Sequence, residues 1–288
     1  YRALNTKQKE LWFAFTPSGS GRIVQQLSKR PGQAKTANLV VNLDGASAVY
    51  QHFPYQLNNL TGKVIAEPGV IEFFNVVSAY DGKKITLNGR VTETKSERPQ
   101  YNIVVKAENI PIDSQLKTAL PRRQREFYEQ FTVNAVTDVE INVFPNEVGK
   151  RLVEYIAKAE IRGESLVYKQ FPYQLNDVYL RADLTPDVVI LREMTGIRGD
   201  GRVRVSGNIW PGDRAEDEPK VCLSLEAVGI ELDDELLESL PDTAQKIIGP
   251  LNVGGIVNVT ADLNIGATEA DCPGHKIAID CINTNVSF

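Results

Sequence analysis

Histidine, cysteine, methionine and tryptophan are scarce in this chain of 288 residues, which carries 2, 3, 1 and 2 of them. Catalysis and metal binding need several polar groups converging on one place. His52 and His275 fall at non-equivalent places in the repeat described below, so each reads as a solvated loop or strand side chain. Cys222, Cys272 and Cys281 have no metal-ligand spacing. Cys272 and Cys281 could pair across a hairpin in an oxidising compartment, or all three could stay thiols; the sequence leaves both open. No run approaches 18 apolar residues, so the chain carries no membrane-spanning helix. It has no initial Met and no charged-then-apolar signal segment, so any address or anchor is expected outside it. With a net charge of −5 it lacks the basic stripe that a nucleic-acid partner would favour.

Familiar catalytic motifs are missing too. Gly-X-Ser-X-Gly is absent, and Ser18-Gly19-Ser20-Gly21 lacks the strand-to-helix context of a nucleophile elbow. Gly199-Asp200-Gly201 reads as a turn, since no helix opens after it to cradle a phosphate. The acids of Asp213 to Glu218 do not follow the alternating ligand pattern of an EF-hand loop and read as a solvated hairpin tip. The expectation is a non-enzyme with no catalytic residues, no metal and no cofactor.

What the chain does have is a repeat. Phe53-Pro54-Tyr55-Gln56-Leu57-Asn58 recurs as Phe171-Pro172-Tyr173-Gln174-Leu175-Asn176, an offset of 118. Upstream, Gly45-Ala46-Ser47-Ala48-Val49-Tyr50 matches Gly163-Glu164-Ser165-Leu166-Val167-Tyr168. Downstream, Leu87-Asn88-Gly89-Arg90-Val91 matches Val205-Ser206-Gly207-Asn208-Ile209. By Leu120-Pro121 and Leu240-Pro241 the offset is 120, as loops absorb small length changes. Lys7 to Thr16 resembles Arg123 to Thr132, and Leu251-Asn252-Val253-Gly254-Gly255 opens a further copy. The expected organisation is a preceding repeat's tail at 1–15, unit 1 at 16–131, unit 2 at 132–251 and the start of unit 3 at 252–288. That pattern predicts a fragment of a longer repetitive protein.

Each unit reads mainly as strand. Val203, Val205, Gly207 and Ile209 alternate with polar residues, as do Ile85, Leu87, Gly89 and Val91, then Val139, Ile141 and Val143, then Val257, Val259, Ala261 and Leu263. A period of two with one apolar side predicts antiparallel sheet with one wet face. Asp81-Gly82 and Asp200-Gly201 read as hairpin turns. Leu232, Leu236, Leu237 and Leu240 predict a helix with acidic residues in its first turn and Pro241 as its stop. Asp113, Leu116, Leu120 and Pro121 repeat that arrangement. A second short helix is expected after each proline, around 122–130 and 242–248. The stretch from Asn146 to Lys158 reads helically, but the repeat favours a helical turn near 147–153 and strand from about Tyr155 to Ile161.

The Phe-Pro-Tyr motif reads as structural, with proline at a strand entry and the aromatics packed on the neighbouring unit. One helical hairpin cannot cover the apolar face of eight or so strands. Either a second sheet closes the unit into a sandwich, or the sheet curls into a trough that holds something apolar.

Gly-X-Ser-X-Val-Tyr-X-X-Phe-Pro-Tyr-X-Leu, a glycine-containing strand, then Ile/Leu-Asp-X-X-Leu and Leu-Pro, resembles repeats of the bacterial AsmA-like envelope proteins, among them AsmA, TamB and YhdP. The resemblance covers Gly45 to about Val257 in two copies. It implies a mainly β fold of repeated curved antiparallel sheets forming an open β-groove, with one short helical hairpin per repeat. It also implies a bridge-like lipid transfer protein in the periplasm, anchored in the inner membrane by a segment not present here. Its partners would be phospholipid or another acyl-chain lipid, membranes reached through other regions, and neighbouring repeats of the same chain.

Alternation alone nominates the groove lining: Leu39, Val41, Leu43, Val64, Ile85, Leu87, Val91, Ile103, Val105, Val139, Ile141 and Val143, then Val203, Val205, Ile209, Val221, Leu223, Leu225, Val257, Val259 and Leu263. With no energy source visible, transport would be passive or driven by parts not present. Two alternatives stand beside lipid transport. One is a scaffold for outer-membrane protein assembly through an exposed strand edge; the other is a closed structural or adhesive β-repeat protein.

Overall fold

Alternating sequence becomes strand along most of the chain in the computed structural model, which describes residues 6–28, 36–93, 100–145, 153–211, 218–240, 245–246, 253–268, 272 and 274–286. The order is α1 (Thr6–Phe15), β1 (Gly21–Ser28), β2 (Thr36–Tyr50), β3 (Phe53–Glu67), β4 (Val70–Tyr80), β5 (Lys83–Thr92), β6 (Gln100–Pro111), α2 (Ser114–Ala119) and α3 (Arg122–Tyr128). Then come β7 (Phe131–Pro145), β8 (Val153–Tyr168), β9 (Phe171–Leu184), β10 (Val189–Arg198), β11 (Gly201–Trp210), β12 (Lys220–Glu231) and α4 (Asp234–Ser239). The chain continues with β13 (Val253–Gly254), β14 (Ile256–Ile265), β15 (Lys276–Cys281) and β16 (Asn285–Val286). The repeat is therefore six strands long, not about eight: β7 to β12 copy β1 to β6, and β14 and β15 stand where β1 and β2 would recur.

The fold is mainly β, open and antiparallel, with few helices. Two compact units divide it, residues 1–121 with 137–157, and residues 122–136 with 158–288. This cut passes through β7 and β8, so the compact units are not the sequence repeats. Within the first unit the hydrogen-bonded order is β1-β2-β3-β4-β5-β6. Within the second it is β9-β10-β11-β12-β14-β15. Strands that follow one another in the chain lie side by side in the sheet, except that β12 pairs with β14 after a connection that carries α4 and β13.

Hairpin turns follow the expected chemistry with one adjustment. Asp81 and Gly82 both take positive φ, 54° and 73°, between the paired Tyr80 and Lys83. In the second copy the turn is Gly199-Asp200, not Asp200-Gly201; Gly201 already pairs with Arg198. Gly199 takes a φ of 56°, so the glycine sits first in the turn and the acid second, reversing the order of the first copy.

Both repeats bend at the same two places. Pairing of β4 with β5 shifts between Phe73 and Val76, and pairing of β10 with β11 shifts between Leu191 and Met194, positions 118 apart. These are bulges, which bend and twist a strand. Gly89 and Gly207, also equivalent, have φ of 145° and 141°. A Cβ there would stand 2.2 Å from the Asn102 carbonyl oxygen and 2.1 Å from that of Cys222. Only glycine allows the neighbouring strand so close.

The helices start as the sequence predicts. The Asp113 carboxylate accepts the Leu116 amide at 2.9 Å, and the Asp233 carboxylate accepts that of Leu236 at 2.7 Å. Each cap satisfies an amide that the first turn leaves unpaired. α3 lies within the expected 122–130. Of 242–248, only residues 245 and 246 are described, and they are helical. β8 begins at Val153, two residues before the expected start, and the helical turn expected near 147–153 falls mostly outside the described residues.

Candidate functional site

Cross-strand pairing decides which alternating residues share a face. In the first unit one row reads Ile23, Val41, Val64, Phe73, Gly89 and Ile103 across β1 to β6. A second reads Leu39, Ala66, Ile71, Val91 and Tyr101, and a third joins Val76, Leu87 and Val105. Leu43 opposes Gly62, and Ile85 lies between Ser78 and Ala107. All nine candidates from Leu39 to Val105 thus lie on one apolar face. Val139, Ile141 and Val143 join it by alternation, because Glu140 pairs with Lys106 at 3.0 Å on the opposite face.

The second unit has the same arrangement. Its rows read Leu184, Val189, Ile209, Val221 and Ile265; then Ala182, Leu191, Gly207, Leu223 and Leu263; then Leu180, Met194, Val205, Leu225, Ala261 and Ile277. Val203, Ala227, Val259 and Ile279 form the next row, and Ile230, Val257 and Cys281 the last. The nine candidates from Val203 to Leu263 all lie on this face.

Cover on these faces is partial and comes from short helices. Among the described residues no large side chain is fully buried. Most lining residues are half-buried, and on β15 Ile277 and Ile279 remain 64% and 60% exposed. The other face is wet and carries cross-strand ion pairs such as Glu72 with Arg90, Lys84 with Glu108, and Glu193 with Arg204. Each adds about 0–1 kcal/mol at most, so these pairs mark register and solvation more than stability.

Alternation missed β4 and β10. The bulges flip the phase inside each strand, so Ile71 and Phe73 face the same side as Val76, and Val189 and Leu191 the same side as Met194. A period of two never shows that continuity. Pairing the two copies at an offset of 118 would have shown the same phase flip twice.

The repeated hexapeptide closes one end of each face. Tyr55 is 4% exposed and packs with Ile110, Ala119 and Leu116 beneath α2. Tyr173 is 7% exposed and packs with Ile230, Leu232 and Leu236 beneath α4. The tyrosines therefore pack within their own unit, not on a neighbour as the sequence reading expected, because the helix folds back over the strand that carries them. Both prolines sit in the second position of their strands. Gln56 donates to Asn58 at 3.2 Å and Gln174 to Asn176 at 2.8 Å, so Tyr and Leu turn inward while Gln and Asn turn outward.

The two tyrosines differ in one respect. The Arg198 guanidinium lies over the Tyr173 ring, 5.1 Å from its centroid. Arg198 also pairs with Glu235 and lies 4.0 Å from Asp233. The Tyr55 hydroxyl is buried and reaches no partner among the described residues. Burial pushes both phenols above their ordinary value. Asp113 adds to the rise at Tyr55 and Asp233 at Tyr173, where Arg198 opposes it.

Cysteine pairing differs from the sequence-level option. Cys222 and Cys272 form a disulfide, and Cys281 is free and exposed. Cys281 sits opposite Val257 on β15, whereas Cys272 lies in the β14–β15 connection beside Asn264, the cross-strand partner of Cys222. Pairing across β14 was invisible to a hairpin argument. His52 lies in the β2–β3 turn and His275 just before β15, far apart in the chain. Residues 213–217 of the acidic loop lie outside the described residues.

Searches of protein-family models, curated proteins and solved structures find no match to this chain. The likeness to AsmA-like repeats rests on the sequence pattern alone.

Proposed function

We propose that this chain is a segment of a bridge-like lipid carrier of the AsmA type, with each apolar face a path for phospholipid acyl chains. The observation that carries the reading is an apolar face six strands wide in each unit, covered among the described residues by short helices and partly exposed along its rows. Open apolar area of this extent needs a partner in water. An acyl chain matches it chemically, because the rows are lined almost wholly by aliphatic and aromatic side chains. Bulges and crowded glycines at equivalent positions support a bent sheet, as a groove requires. The Cys222–Cys272 disulfide supports an oxidising compartment, and with the family likeness a periplasmic one.

The test is native mass spectrometry of the purified chain with lipid extraction, for wild type, Val205→Asp and Leu223→Asp. Phospholipid should co-purify with wild type and be lost from variants that keep their far-UV circular dichroism. Lipid-free wild type that also fails to bind an apolar dye would overturn the reading.

A further inference from the structure

α2 and α4 occupy equivalent places over the closed end of their faces, yet they are fastened differently. In the second unit Arg198, at the end of β10, reaches three groups at once. It pairs with Glu235 in the first turn of α4, lies 4.0 Å from the capping Asp233, and lies over the ring of Tyr173 beneath the helix. In the first unit the residue 118 positions earlier is Tyr80, and Gln115 stands where Glu235 would be. The Tyr55 hydroxyl is buried without a partner among the described residues. Lys83 lies over the Tyr80 ring at 4.8 Å and reaches Asp81.

We infer that α4 is a cover latched by Arg198 and that α2 lacks this latch, so that apolar ligand enters the first unit's face from this end more readily than the second's. The inference rests on reading the faces as a lipid path. Both helices have six residues and one aspartate cap, so their intrinsic stability is similar. What separates them is the charge-assisted contact of Arg198 and the unmet hydroxyl of Tyr55. A hydrogen bond to a charged group is stronger than a neutral one, and a buried polar group without a partner favours the opened state.

The experiment is hydrogen exchange on the full chain, read over 114–120 and 234–240, with uptake of cis-parinaric acid as an acyl probe. The amides of Lys117 and Leu120 report α2, and those of Leu237 and Leu240 report α4. In wild type the α4 amides should exchange more slowly than those of α2. Arg198→Ala should speed exchange in α4 by about tenfold and leave α2 unchanged. Glu235→Gln, a milder change, should move α4 in the same direction, and the swap of Arg198→Glu with Glu235→Arg should restore it in part. Salt at about 1 M, where the Debye length is about 3 Å, should speed α4 exchange in wild type but not in Arg198→Ala. Tyr80→Arg with Gln115→Glu should slow exchange in α2. Uptake of parinaric acid should be faster in Arg198→Ala and slower in the Tyr80→Arg, Gln115→Glu variant. Exchange in α4 within twofold of wild type for both Arg198→Ala and Glu235→Gln overturns the latch, whatever the probe does. Altered exchange with no probe binding by any variant overturns the lipid reading, and with it the latch as a control of access.

Discussion

Replacing Tyr55 and Tyr173 by phenylalanine removes one oxygen atom from each of two equivalent positions, and the structure assigns the changes different sizes. Tyr55 is 4% exposed and its hydroxyl has no partner among the described residues. An unsatisfied buried polar group costs about 1–3 kcal/mol, and phenylalanine keeps the ring contacts with Ile110 and Ala119. Tyr55→Phe should therefore stabilise the first unit by about 1 kcal/mol or more. Tyr173→Phe keeps the ring that Arg198 lies over and leaves the guanidinium its carboxylates, so a change within about 0.5 kcal/mol is expected. The same edit should thus separate the variants by about 1 kcal/mol. Urea unfolding followed by unit-resolved hydrogen exchange reads the two effects apart, which matters because repeat arrays can unfold in more than one step. A loss of about 1 kcal/mol or more on Tyr55→Phe, or equal changes in the two variants, would refute the reasoning.

Two further outcomes are expected. Replacing Cys222 and Cys272 by serine removes a crosslink with a sequence separation of 50, worth about 4 kcal/mol in the loop-entropy account. The loss should appear as faster exchange in the second unit, with the first little changed, and a reductant should do the same to wild type. Tyr50, Tyr55 and Tyr173 are all held above the ordinary tyrosine value of 10.0, chiefly by burial. A raised folded value means that the native state keeps protons the unfolded chain has released. Their contribution is full below about pH 10 and is lost as pH rises further, so urea midpoints should fall on the alkaline side. Tyr55→Phe should flatten that fall.

Much of the architecture was legible in the order of residues. The 118-residue offset, the period of two and the Asp caps of α2 and α4 act over short chain distances, where local sterics and amphipathicity decide the outcome. Alternation likewise put Val203, Val205, Leu223 and Leu225 on one face, because neighbouring strands pair through hairpins that preserve side-chain orientation.

Other features depended on contacts that no local pattern encodes. The bulges after Phe73 and Leu191 reverse the alternation within a strand, so the contribution of β4 and β10 to the apolar face emerges only when both neighbours are paired. Cys272 meets Cys222 across an intervening strand, a contact set by sheet order. Identical hexapeptides also acquire different environments: Tyr173 gains Arg198 from the neighbouring strand β10, while the Tyr55 hydroxyl meets no partner among the described residues. Sequence alone determined the repeat, the strands and their apolar side, since those follow from periodicity. Tertiary structure decided how much of that side stays uncovered and which helix is fastened over it, since burial and ion pairing belong to groups that meet only after the strands are laid side by side.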